Sequence, residues 1–139
     1  MGSEPVDQHH AAFVTVDDDG TVYSVDQFAT DDTVLRYRWS GERLSPVEPL
    51  RMSRSLERIQ GGDVADGALW LSTDDATNGV YRVDLATGEV TALGSAGRVP
   101  GEGEGLDAAD LPAGPLRVLV ADEQLVPMWL VDLTVASSP

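Results

Sequence analysis

Two segments decide the fold of this chain: DGALWLS at residues 66–72 and GVYRVDL at residues 79–85. Each is a short run rich in apolar, β-branched and aromatic residues, and turn-forming residues flank both, which is typical of β-strands separated by turns. The Asp-Gly pair at 66–67 tolerates the positive φ angles that a tight hairpin requires. The two segments therefore predict neighbouring strands of an antiparallel sheet.

The same pattern recurs along the chain at a nearly constant interval. Gly20, Gly67 and Gly114 lie 47 residues apart, and each opens a short apolar run. A second segment recurs at nearly the same interval, because VYRVDL at residues 80–85 is repeated as MWLVDL at residues 128–133. A period in the forties built from strands is typical of the four-stranded blades of β-propellers.

The repeats predict an all-β fold of three four-stranded antiparallel propeller blades, which is half of a six-bladed propeller. The blades span approximately residues 11–50, 58–94 and 103–135 of a single segment covering 1–139. We expect the last blade to lack its outer strand in sequence order, and residues 1–10 to form an N-terminal tail or a closing strand. Residues 52–58 and 95–102 are expected to connect the blades, the former as a loop rather than a helical turn.

Composition limits the partners of the chain. Hydrophobic residues make up 42% of the 139 residues, which is enough for a folded core. The net charge is −15, from 24 acidic and 9 basic residues, and every basic residue is arginine. Such a surface repels nucleic acid and anionic membranes and favours divalent cations or basic partners. The simpler explanation is that the charge serves solubility.

Missing residue types exclude several kinds of chemistry. The chain has no cysteine, which rules out disulfides, thiolate nucleophiles and cysteine-bound zinc. It also lacks lysine, so Schiff-base catalysis is excluded. The start of the chain has neither the basic region nor the apolar stretch of a signal peptide, and no apolar run reaches membrane-spanning length. We expect a cytoplasmic protein by default, and a secreted one if the chain is a fragment of a longer protein.

A free arc of three blades leaves one apolar face bare at each end, and the sequence shows no polar cap to cover either. Apolar faces of that size are rare on monomers. Two copies related by a two-fold axis would close a six-bladed ring, so we expect a homodimer. A different partner chain, or the rest of a longer protein, would cover the faces equally well.

The middle repeat, residues 66–90, resembles a blade of the six-bladed lactonase-like propellers, which include the SMP-30/gluconolactonase and strictosidine synthase-like families. The segment EGLD at residues 104–107 resembles the first strand of phytase-like esterase propellers. The resemblance implies blade architecture, and such blades serve hydrolases, binding modules and scaffolds alike. In lactonase-like propellers, acidic and amide side chains at the channel mouth hold a divalent metal that activates water.

Candidate metal ligands come from one position of the repeat. His10, Glu57 and Glu104 each stand ten residues before a repeat glycine, at the approach to an innermost strand. Side chains from three blades would converge there, and a histidine with two carboxylates suits Ca²⁺, Mn²⁺ or Zn²⁺. Gln60 and Asp107 occupy matching positions and could add ligands.

An acidic pair follows the second strand of every repeat: Asp31-Asp32, Asp74-Asp75 and Asp122-Glu123. These loops normally open on the same face of a propeller as the channel mouth. Clustered carboxylates repel one another unless a cation screens them, which makes Asp74 and Asp75 further candidate ligands. The alternative is that aspartate simply suits turns, because its side chain bonds nearby backbone N–H groups.

These observations favour a β-propeller binding or scaffold module whose acidic channel mouth binds a divalent cation such as Ca²⁺. The alternative is a metal-dependent hydrolase of an ester or lactone, with Glu57 and Glu104 as ligands and metal-bound water as the nucleophile. The sequence leaves open whether the protein is an enzyme. No motif indicates a nucleotide or organic cofactor, whereas a small-molecule ligand is compatible with either function.

Overall fold

The computed structural model describes residues 10–26, 31–97, 101–108, 116–121 and 128–133. These residues form eleven β-strands and no helix, so the predicted all-β class is confirmed. The strands are β1 (Thr15–Val16), β2 (Thr21–Ser24), β3 (Asp31–Trp39), β4 (Leu44–Leu56), β5 (Ile59–Ala65), β6 (Ala68–Thr73), β7 (Gly79–Asp84), β8 (Val90–Ser95), β9 (Glu102–Asp107), β10 (Leu116–Ala121) and β11 (Met128–Leu133).

The strands build three antiparallel sheets, each a simple meander in chain order. The first sheet holds β1–β4, the second β5–β8 and the third β9–β11. The three predicted sheets are therefore present, and among the described residues the third sheet, whose outer strand was expected to be missing in sequence order, consists of three strands. One sheet per sequence repeat is the result expected if each repeat is a single structural unit.

Both predicted connections between repeats are shorter in the structure. β4 continues to Leu56, so the expected loop at residues 52–58 is mostly strand. Met52 and Leu56 are buried, and the Ser53 N–H donates to the Gly88 carbonyl over 2.9 Å, which gives this part of β4 a backbone partner in the second sheet. The connection at 95–102 is likewise shortened, because β8 extends to Ser95 and β9 begins at Glu102.

The hairpin between β5 and β6 confirms the prediction made from its sequence. Asp66 and Gly67 both have positive φ, 51° and 67°, as a two-residue type I′ turn requires. This turn sets the register in which Ala65 pairs with Ala68 and Asp63 with Trp70. The turn chemistry thus fixes which β6 side chains point to each face of the second sheet.

The second sheet is buried on both faces. Leu69 and Leu71 of β6 belong to a core shared with the first sheet, whereas Ala68 and Trp70 belong to a core shared with the third. An isolated two-layer sheet would alternate apolar and polar residues along such a strand. The apolar run ALWL at residues 68–71 is continuous because another sheet covers each face of the second sheet.

The first strands of the three sheets lie side by side, with β5 in contact with both β1 and β9. Glycine makes the closest approach possible, since a Cβ placed on Gly61 of β5 would lie 2.7 Å from the Cα of Gly105 in β9. At the outer end, β4 of the first sheet touches β8 of the second. The sheets therefore stack face to face, each with its first strand at the same inner edge.

Candidate functional site

Apart from Asp107, the predicted ligands lie near the end of each sheet where its second strand ends and its third strand begins, here called the mouth end. In the first sheet a bridge between Ala11 and Asp26 places His10 at this end. In the second sheet Ile59 pairs with Thr73, so Gln60 and the loop that follows Thr73 lie together. The 47-residue repeat thus brings corresponding positions of neighbouring sheets to the same end.

Asp74 is held by the turn that joins the first two sheets. Its backbone N–H donates to the Arg58 carbonyl over 2.8 Å, and its carboxylate forms an ion pair with the Arg58 guanidinium. The Asp74 side chain is only 11% exposed. Arg58 adopts a φ of 51°, a left-handed conformation that is uncommon for a residue other than glycine. Glu57 directly precedes Arg58 in the chain.

Asp75 closes the loop between β6 and β7. Its Oδ1 accepts hydrogen bonds from the Thr77 N–H at 2.8 Å and the Thr77 hydroxyl at 2.6 Å, and its Oδ2 accepts one from the Tyr81 hydroxyl at 3.1 Å. Burial alone would raise the pKa of Asp75, but the hydrogen bonds from Thr77, Thr73 and Tyr81 outweigh it and lower the pKa to about 2. The Asp75 carboxylate therefore stabilises its own loop.

The remaining predicted ligands differ in exposure and in position along their strands. His10, Glu57 and Glu104 are exposed, whereas Gln60 is buried in β5. Glu104 lies in β9 beside Gly103, where an added Cβ would be 3.1 Å from the Thr73 carbonyl oxygen, so Glu104 is close to the mouth end of the second sheet. Asp107 stands near the other end of β9, opposite Arg117.

Among the described residues, no three histidine or acidic side chains stand close enough together to hold a metal ion. Two of the acidic pairs instead involve an arginine, because Asp32 pairs with Arg51 and Asp74 with Arg58. The third pair, at residues 122 and 123, lies outside the described residues. The set of metal ligands stays a prediction, and the described loops show the turn-forming role of aspartate.

Asp63 links all three sheets, and sequence analysis did not identify this role. Its Oδ1 accepts a hydrogen bond from the Thr15 hydroxyl of the first sheet, and its Oδ2 accepts one from the Ala108 N–H next to β9 of the third, both at 2.9 Å. A single carboxylate thereby joins three inner strands. The only signal in the sequence is that Asp110 stands 47 residues after Asp63.

No protein-family model matches this chain, and no curated protein matches it significantly. A search of the described residues for a helix long and apolar enough to cross a bilayer finds none.

Proposed function

We propose that this chain is a non-catalytic binding or scaffold module built of propeller blades, which works as a homodimer and binds a divalent cation such as Ca²⁺ at its acidic mouth end. The observation that carries the proposal is a group of exposed apolar side chains on the outer face of the first sheet, which is the face that points away from the second sheet. There Val14, Val16 and Trp39 are 65%, 55% and 50% exposed. Exposed apolar residues that share one face mark an interaction surface rather than a catalytic one.

The chemistry of the mouth end also favours binding over catalysis. A hydrolytic metal site needs carboxylates free to coordinate and an open position for water. Asp74 is engaged by Arg58, and Asp75 by Thr77 and Tyr81, so neither could bind a metal without losing these contacts. Glu57 and Glu104 are the exposed carboxylates through which a cation would bind. No observation specifically supports the alternative of an ester or lactone hydrolase.

Two measurements test the proposal. Light scattering should give a solution mass of about twice the 14.8 kDa chain. Added Ca²⁺ should raise the melting temperature, because a ligand that binds only the folded state stabilises it. The Glu57→Gln, Glu104→Gln double variant should lose this shift, whereas Glu42→Gln, an exposed control in a turn of the first sheet, should keep it. A monomeric mass at every concentration would refute the homodimer, and an unchanged melting temperature would refute the cation site.

A further inference from the structure

The chain contains a single asparagine, Asn78, and a glycine follows it directly. Asparagine is a chemically labile residue, because the backbone N atom of the next residue can attack its side-chain amide. Glycine at the next position favours this attack, since it has no side chain to obstruct its N atom or to restrict its backbone. Asn78 and Gly79 therefore form a reactive pair in the loop between β6 and β7.

The folded loop engages both reacting groups in other hydrogen bonds. The Asn78 Nδ2 donates to the Gly101 carbonyl over 3.1 Å, and the Gly79 N–H donates to Asp75 Oδ1 over 3.3 Å. The first of these bonds joins the mouth end of the second sheet to the residue before β9 of the third. Attack requires the Asn78 side chain to turn towards Gly79 and the Gly79 N–H to lose its proton, so both bonds must break first.

The backbone of the reactive pair is also held in place. The Asn78 N–H donates to the Asp75 carbonyl over 3.0 Å, and the Asn78 carbonyl accepts the Ala96 N–H over 2.9 Å. Gly79 is buried and pairs with Ser95 of β8. A base from solvent therefore reaches the Gly79 N–H only when this part of the sheet opens, and such local opening has a free-energy cost.

We propose that Asn78 is a site of spontaneous deamidation that the folded loop restrains. When the loop opens, the Gly79 N atom loses its proton to a solvent base and attacks Asn78 Cγ. The new N–C bond forms, the bond from Cγ to Nδ2 breaks, and Nδ2 takes up a proton and leaves as ammonia. Water then opens the succinimide ring. Cleavage of its N–Cγ bond leaves aspartate, whereas cleavage at the backbone carbonyl carbon leaves isoaspartate.

Deamidation would change the mouth end in two ways. The ionised product has no N–H with which to bond the Gly101 carbonyl, so the link between the second and third sheets is lost. It also adds a negative charge to the loop that already holds the Asp75 carboxylate, and like charges at short range repel each other. We expect the modified chain to be less stable, and Asn78→Asp to show the same fall in melting temperature. This proposal is independent of the homodimer and of the cation site.

Peptide mass mapping over time at mildly alkaline pH tests the site. In guanidinium chloride the wild-type peptide containing residue 78 should change from amide to acid, and in native buffer this change should be roughly tenfold slower or more. Asn78→Gln is the control for the site and should show no such change. The Asp-Gly pairs at residues 19–20 and 66–67 do not interfere, because their isomerisation leaves the mass unchanged.

Two further variants test the restraint itself. Asp75→Ala removes the acceptor of the Gly79 N–H and should speed the native reaction by roughly fivefold, the effect of one lost hydrogen bond on loop opening. Asp84→Ala removes a similar carboxylate, which accepts the Ala86 and Thr87 N–H groups at the other end of β7, and should leave the rate nearly unchanged.

Four outcomes would overturn the proposal. Equal rates for the wild-type chain in native buffer and in guanidinium chloride, or equal acceleration in Asp75→Ala and Asp84→Ala, would show that the loop does not restrain the reaction. A wild-type peptide that stays unchanged even in guanidinium chloride, or a change of mass that persists in Asn78→Gln, would show that Asn78 is not the site. The wild-type comparison decides even if a variant fails to fold.

Discussion

The hydroxyl of Thr15 donates a hydrogen bond to Oδ1 of Asp63 over 2.9 Å, and this bond joins the inner strands of the first two sheets. The other oxygen of Asp63 accepts the Ala108 N–H at the inner edge of the third sheet. The apolar contacts between the sheets are not directional, and the other hydrogen bonds between sheets include the one from the Ser53 N–H to the Gly88 carbonyl. The Asp63 carboxylate supplies directional bonds that fix which of the first strands are neighbours and how they are aligned along their length.

Replacing Asp63 should destabilise the whole stack of three sheets. Asp63→Ala leaves the Thr15 hydroxyl and the Ala108 N–H without their acceptor, and we expect a loss of about 2–3 kcal/mol in the free energy of unfolding. Thr15→Val removes, at nearly constant volume, the bond that the hydroxyl donates to Asp63 and the one that it accepts from the Val64 N–H, and it should cost about 1 kcal/mol because the Val64 N–H keeps Asp63 as an acceptor. Urea unfolding measures both. If the two residues act through this bond, the double variant will lose less than the sum of the single losses, and strict additivity would contradict the role assigned to it.

Gly88 offers a test of how closely the first sheet approaches the hairpin that joins β7 to β8. A Cβ at Gly88 would lie 1.9 Å from the carbonyl oxygen of Arg51, whereas a Cβ at Gly67 would meet nothing within 4 Å. Both glycines have a positive φ, 76° and 67°, so alanine strains the backbone comparably at either position.

Gly67→Ala should therefore cost about 1 kcal/mol, and Gly88→Ala about 3 kcal/mol, because only the latter forces β4 away from the hairpin. Thermal unfolding of the two variants, matched for backbone strain, measures the difference. Equal melting temperatures would mean that Arg51 and Gly88 are not in close contact in solution.

Most of the fold could be predicted from the sequence repeat, because a strand pattern with a fixed period specifies one sheet per repeat. The errors occurred where local sequence and packing disagree. Residues 52–56, Met-Ser-Arg-Ser-Leu, look like a polar connection, yet they form strand because the Gly88 carbonyl and a shared core lie beside them. Such a partner is distant in sequence, and local propensity cannot reveal it.

The candidate site was harder to predict than the fold. Sequence analysis placed His10, Glu57 and Glu104 at one end of neighbouring sheets, because residues at the same position of each repeat are expected at the same end of their sheets. It could not foresee that Arg58 would engage Asp74, or that Tyr81 would donate to Asp75. Those partners depend on the path of a loop and on side chains from adjacent strands, which a repeat period does not determine.

Asp75 should make stability depend on pH in acid. Its pKa lies at about 2 in the folded chain, against an ordinary value of 3.8. Because the folded-state pKa is depressed, the stabilisation is complete above about pH 4 and is lost as the pH falls towards 2. The loop is partly open to solvent, so we expect the loss to be only about 1 kcal/mol.

Urea unfolding at pH 5, 3 and 2 should show this decline in the wild-type chain and a smaller one in Asp75→Asn. Tyr81→Phe removes one donor to Asp75 and keeps the ring, so its decline should be intermediate. Parallel curves for all three proteins would indicate that Asp75 is not held by the loop as described.

Arg58 combines an unfavourable backbone conformation with a stabilising ion pair, and the larger of these two effects decides how its replacement changes the stability of the chain. Its φ of 51° would suit glycine, and relieving that strain is worth about 1 kcal/mol. The same change removes the guanidinium from the Asp74 carboxylate, which is only 11% exposed, and a largely buried charge without its partner costs about 3 kcal/mol. Arg58→Gly should therefore destabilise the chain by about 2 kcal/mol in urea unfolding. Combining it with Asp74→Ala removes the stranded charge, and this double variant should recover most of the lost stability. If Arg58→Gly alone raises the stability, backbone strain outweighs the ion pair and the turn is not held by Asp74.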